Sequence, residues 1–179
     1  MPAIIAVKWI IVKVIKVKYY VPPAEKKRRK QMEKSIKIKK LYEDATIPTY
    51  GSAAAAGLDL YAYTENKEPV TIGAHETVKI GTGISVEPPV GTFGAIFARS
   101  GLATKQGLRP ANCVGVCDWD YRGEYIVALH NDSNEAKTIE HGDRIAQLVF
   151  LAYTPWDIEE VEELTLTERG DGGFGSSGN

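Results

Sequence analysis

An all-β sandwich or barrel is the fold class that this 179-residue sequence predicts, and three observations carry it. Short runs rich in Val, Ile, Leu and aromatic residues recur at strand-like spacing. Clusters of Gly, Pro, Asn and Asp punctuate them. Almost no stretch repeats its apolar residues at the 3.6-residue period of a helix. A chain of this length makes one domain with a core that needs no disulfides.

The first segment stands apart. Residues 1–34 hold ten Lys and Arg against two Glu, whereas residues 35–179 hold the other 12 against 21 Asp and Glu. The stretch 3–21, AIIAVKWIIVKVIKVKYYV, favours extended backbone because branched side chains crowd a helix. Pro22-Pro23 and the run EKKRRKQMEK follow as a linker. Such a basic arm touches nucleic acid or anionic lipid in some proteins and is merely solvated in many others.

From Ser35 the expected strands are IKIKKLY (36–42), LDLYAY (58–63), TVKIGTGISVE (77–87), TFGAIFA (92–98), EYIVALHN (124–131) and RIAQLVFLAY (144–153). Turn clusters at 87–91, 118–123, 131–134 and 141–143 separate several of them. The only helical opportunity lies around Gly101–Gln106. The expected organisation is a basic extension over 1–34, a β domain over 35–168, and a tail over 169–179.

That tail, RGDGGFGSSGN, contains five glycines and one large apolar group, Phe174. Ordering eleven residues costs on the order of 10–20 kcal/mol, and burying one Phe contributes only about 1.5–3 kcal/mol. The tail therefore frays, or a ligand orders it.

Several classes are disfavoured. Lys8, Lys13, Lys16 and Lys18 interrupt the most apolar stretch, so no transmembrane helix is expected, and the N-terminus lacks the pattern of a signal peptide. Cys113 and Cys117 are the only cysteines, which suggests a reducing, cytoplasmic setting. Their spacing, with His130 and His141, matches no usual zinc pattern.

Four segments within the β domain carry unusual chemistry. In AAAAGLDL (53–60), Asp59 interrupts an apolar strand; it either caps a turn or needs a cationic partner or a metal. In FARSGLATKQG (97–107), Arg99, Ser100 and Gly101 offer a guanidinium fork, a hydroxyl and backbone N–H groups suited to an anion, though a surface turn reads the same way. In ANCVGVCDWDYRGEY (111–125), two strands flank a turn more acidic than a hairpin requires. There Asp118 is placed to accept a proton from water, and Tyr121 offers a flat wall for a sugar or base; a charged, exposed hairpin is the bland alternative. In HGDRIAQLVF (141–150), Arg144 and Gln147 interrupt a buried strand, with an Asp143–Arg144 pair as the simple structural explanation.

In sequence order, AAGLDL, ARSGLA, GVCDWDYRGEY, GDRIAQLVF and RGDGGFGSSG resemble the five motifs of the trimeric deoxyuridine triphosphatases, the dUTPases, across about residues 35–179. The resemblance implies a jelly-roll-like β fold, a homotrimer with active sites shared between subunits, and cleavage of dUTP to dUMP and pyrophosphate with Mg²⁺. It implies that Asp118 orients and deprotonates the attacking water and that Asp59 helps hold Mg²⁺, largely through water. Arg99, Ser100 and Gly101 would bind phosphate, and Gln147 a phosphate or water. Asn112 and the backbone of 112–126 would read uracil, with Tyr121 packed under the deoxyribose. From the tail, Phe174 would stack on uracil while Arg169, Gly175, Ser176 and Ser177 grip the outer phosphates.

Departures are small. Cys117 stands where an apolar residue such as Ile is expected, and Ser177 replaces the commoner Thr. A dCTP deaminase and a catalytically silent nucleotide-binding protein are the competing readings. Against the first, RSG and DWDYRG stand where a deaminase would carry a different serine–arginine segment.

Overall fold

The structure, a computed structural model, describes residues 35–173. The basic arm, and with it Phe174, Gly175, Ser176 and Ser177, lie outside the described residues. Of the described residues, those up to Thr154 belong to one compact unit and those from Pro155 onward to another.

The described part of the first unit is a β-sandwich. One sheet has the order β1 (Lys37–Lys40), β5 (Thr77–Glu87), β9 (Glu124–Asn131) and β7 (Leu108–Pro110). The other has the order β2 (Thr49–Tyr50), β3 (Leu58–Tyr61), β11 (Arg144–Ala152), β6 (Thr92–Phe97) and β8 (Gly115–Cys117). A small ribbon pairs β10 (Lys137–Ile139) with β4 (Val70–Ile72). The registered pairings within these sheets are antiparallel. The six long strands follow the expected boundaries closely, whereas β2, β4, β7 and β10 are two or three residues long, too short to show an alternating pattern.

Side chains alternate as a half-buried strand requires. Along β9, Tyr125, Val127, Leu129 and Asn131 point inward, and Ile126 and Ala128 do not. The core gathers Leu58 and Leu60 of β3, Ile80, Ile84 and Val86 of β5, Ile96 of β6, and Ile145 and Leu148 of β11. Asn131, fully buried, earns its place by hydrogen bonding: its amide donates to the carbonyls of Ile72, Gly73 and Glu135, and its Oδ1 accepts from Ser133. One polar side chain thus ties β4, β9 and the following turn together.

The strand β5 breaks its register between Gly81 and Ser85. Gly83 sits there at φ +67°, where a Cβ would come within 2.7 Å of that of Ala45, so only glycine fits. Its N–H donates to Glu124 Oε1 at 2.8 Å. The one α-helix among the described residues, α1 (Ser100–Gln106), ends at Gly107 in the left-handed conformation, the usual glycine stop.

The second unit, over its described residues 155–173, contains no strand or helix. Trp156, Ile158, Leu164 and Leu166 are exposed. A turn forms at the start of the glycine-rich tail, where Arg169 Nε donates to the Gly172 carbonyl at 2.7 Å.

Candidate active site

The expected site residues of the sandwich fall into two groups. The first lies on one face of the five-stranded sheet. Asp59 of β3 stands opposite Gln147 of β11, and Gln147 opposite Phe97 of β6. Two residues beyond Phe97, Arg99 leaves the sheet just ahead of α1, and its Nε donates to Asp59 Oδ1 at 3.0 Å. Ser100 and Gly101 open that helix, with open space around Gly101.

Arg144 joins this group in a way the sequence conceals. Strict alternation would put Arg144 and Gln147 on opposite faces of β11. A register shift between Arg144 and Ala146 instead pairs Arg144 with Tyr61, which shares its face with Asp59. A bulge re-aims a side chain in this manner. Arg144 Nη1 donates to Asp59 Oδ2 at 3.3 Å, and the Arg144 carbonyl accepts from Arg99 Nη1 at 3.2 Å. The simple Asp143–Arg144 pair is thereby corrected: Asp143 Oδ2 accepts the Glu140 N–H at 2.9 Å, closing the turn before β11. Asp59 is no turn cap either. Its carboxylate, only 4% exposed, has a guanidinium on each oxygen, which a buried charge requires.

The second group surrounds a cleft of about 230 Å³ lined by Val116, Cys117, Asp118, Tyr121, Glu124, Tyr125 and Ile126. The segment 111–125, expected as a hairpin, is a corner between the two sheets. Its first strand, β8, pairs with β6, and its second, β9, pairs with β5 and β7. The turn between them is held by the Tyr121 N–H on the Asp118 carbonyl, by Arg122 Nη1 on the carbonyls of Trp119 and Tyr121, and by Ser85 Oγ on that of Arg122. Tyr121 Oη donates to the Glu124 carbonyl at 3.1 Å, which fixes the ring across the turn. Asp118 remains exposed, and Asn112 lies in the loop ahead of β8, also exposed.

Apolar groups form much of this cleft. Val116 and Ile126 are exposed there, suiting the flat face of a base. Cys117 packs against the core, and burial pushes its thiol up from the ordinary range, so it behaves as a small hydrophobe. Tyr125 is buried with no hydrogen-bond partner for its hydroxyl among the described residues; burial pushes that phenol up as well. Sequence reasoning missed Arg144, Glu124 and Tyr125 as site-forming residues.

The two groups do not meet within one chain. Cys117 stands opposite Gly94, so Asp118 lies toward the beginning of β6, whereas Arg99 follows its end. Five or six residues of extended chain separate them, roughly 15–20 Å.

Among the described residues no three His, Cys, Asp or Glu side chains converge to hold a metal. The one buried carboxylate on the first face, Asp59, already has both oxygens engaged by arginine. Neither oxygen is therefore free of a cation to ligate Mg²⁺ directly. No helix among the described residues is long and apolar enough to cross a membrane.

A family model described as dUTPase matches residues 43–178. A deoxyuridine 5'-triphosphate nucleotidohydrolase of Candida albicans is 46% identical over 155 residues, covering 86% of this chain and 94% of that one. Its counterpart from Debaryomyces hansenii is 44% identical over 153 residues, covering 84% and 92%. Among solved structures, the Staphylococcus bacteriophage 80alpha dUTPase with dUPNHPP superposes with a TM-score of 0.72 at 28% identity, covering 82% of this chain and 99% of that one. With four motifs in order on a matching sandwich, the fifth following in the sequence, and a family model spanning most of its length, the chain belongs to the dUTPase family.

Proposed function

We propose that the chain hydrolyses dUTP to dUMP and pyrophosphate in a homotrimer, at sites to which different subunits contribute the two groups of residues. The observation that supports sharing is the placement of Asp118 and Arg99 at opposite ends of β6. A water activated at one and a phosphate gripped at the other belong to the same nucleotide only when the groups come from different copies. The exposed Trp156, Ile158, Leu164 and Leu166 also suit a chain that meets neighbours.

In this reading the cleft beside Asp118 receives the nucleoside. Asn112 and the backbone of the corner hydrogen-bond the uracil edge, while Tyr121 walls off the deoxyribose and leaves no room for a 2′-hydroxyl. The Asp118 carboxylate accepts a proton from a water that attacks the α-phosphorus; the bond to the bridging oxygen breaks and pyrophosphate leaves. Arg99, Ser100, Gly101 and Gln147 of another copy hold phosphate oxygens, and their charge-assisted hydrogen bonds oppose the charge that builds on the leaving group. The tail closes the site, with Phe174 over uracil and Arg169, Gly175, Ser176 and Ser177 on the outer phosphates. Stacking of this kind is worth about 1–3 kcal/mol. Magnesium is assigned to the phosphates of the nucleotide, which bring it in.

A substrate panel tests the reading. With dUTP the protein should release dUMP and pyrophosphate in equal amounts, and dCTP, dTTP and UTP should be poor substrates. Ammonia from dCTP would identify a deaminase instead, and inert binding of dUTP a silent nucleotide-binding protein.

A further inference from the structure

The pair Asp59–Arg144 lies on the phosphate face, and its geometry raises a specific question: what is a buried carboxylate with two cationic partners for? Arg99 is held at two of its nitrogens, Nε by Asp59 Oδ1 and Nη1 by the Arg144 carbonyl. Asp59 is held in turn, since its second oxygen receives Arg144 Nη1. Three contacts therefore lock the Arg99 plane and leave its Nη2 edge unused by any of them. The charges do not cancel either, because two guanidinium groups share one carboxylate. The side chains of Arg99 and Arg144 are 24% and 50% exposed against 4% for Asp59, so the surplus positive charge faces outward and the negative charge is sunk beneath it. Such a frame presents a preorganised donor edge to an anion, whereas a free arginine would have to be ordered on binding.

From this we infer that Asp59 and Arg144 are positioning residues, which orient Arg99 for the polyphosphate, and that orienting Arg99 is the chief work of Asp59. The inference rests on the assignment of Arg99 to phosphate. It departs from the role in holding magnesium that family resemblance gives Asp59. A metal-holding carboxylate needs an oxygen turned to solvent and free of cations, and Asp59 offers neither.

The two roles differ in sign when no metal is present. In metal-free buffer, loss of the negative charge should strengthen binding of a triphosphate if Asp59 serves only a cation. If Asp59 orients Arg99, the same change should weaken it. The experiment measures affinity for dUPNHPP and for dUMP in the presence of a chelator, with the full-length protein and its variants Asp59→Asn, Arg144→Ala and Arg144→Lys. We expect Asp59→Asn and Arg144→Ala each to weaken dUPNHPP about tenfold while dUMP affinity stays within twofold, and Arg144→Lys to recover part of the loss because a cation again meets Asp59. Unchanged or tighter dUPNHPP binding by Asp59→Asn would overturn the inference. So would an equal loss for both nucleotides together with a lowered melting temperature, which would mark the pair as purely structural. If the unaltered protein itself fails to bind dUPNHPP more tightly than dUMP, the phosphate assignment of this face fails first, and with it this inference.

Discussion

Asp118 is exposed at the mouth of an apolar cleft, and its proposed work is to take a proton from water. Asp118→Asn keeps the shape and removes the basicity. Turnover should fall by at least about a hundredfold, the lower range of general-base contributions, while affinity for dUPNHPP changes little; steady-state kinetics alongside a binding titration separates the two. Gly83 illustrates a purely structural residue. Its positive φ and the nearby Ala45 leave no place for a Cβ, so Gly83→Ala should lower unfolding stability by about 1–3 kcal/mol, read from urea denaturation. Residue identities were the most legible layer of the sequence: Asp59, Arg144 and Gln147 stood out as polar groups interrupting apolar runs, Arg99 as a cation just past a strand, and Asp118 and Tyr121 in a turn more acidic than a hairpin needs. The partner of Arg144 did not, because the bulge that turns it toward Asp59 leaves no mark in the local pattern. Its neighbour Asp143 offered a simpler and incorrect partner.

Among elements, legibility followed length. The strands β5 and β9 coincide with their expected boundaries because eight to eleven residues show both alternation and flanking turns. The pairs and triplets of β2, β4, β7 and β10 are defined by their partners across the sheet, and no local signal announces a partner. The corner at 111–125 shows the same limit in another form. Two strands around a tight turn resemble a hairpin, yet β8 and β9 hydrogen-bond in different sheets, and this splaying opens the cleft beside Asp118. The tail is an element of another kind, with a turn at Arg169–Gly172 and glycine-rich sequence beyond it. Its proposed role makes a plain demand: removal of residues 169–179 should leave the assembly intact by light scattering and reduce turnover by at least tenfold. An unaffected rate would reduce the tail to a frayed end.

For the whole molecule, the sandwich holds the chemistry in two places that one copy does not join. The sheet order β3, β11, β6, β8 sets Asp59, Gln147 and Arg99 toward one end of β6 and Asp118 toward the other. No sequence pattern reveals that separation, since it arises from the antiparallel register of β8 on β6. On the proposed reading the functional unit is an assembly, and a monomer in solution should be inactive. The most direct measurement is complementation between two dead variants, Asp118→Asn and Arg99→Ala, unfolded and refolded together. Random assortment in a symmetric trimer should restore about one quarter of the normal rate, because a quarter of the shared sites then combine an intact Asp118 with an intact Arg99. If the refolded mixture forms trimers and stays as inactive as either variant alone, each site lies within a single chain and the account is wrong.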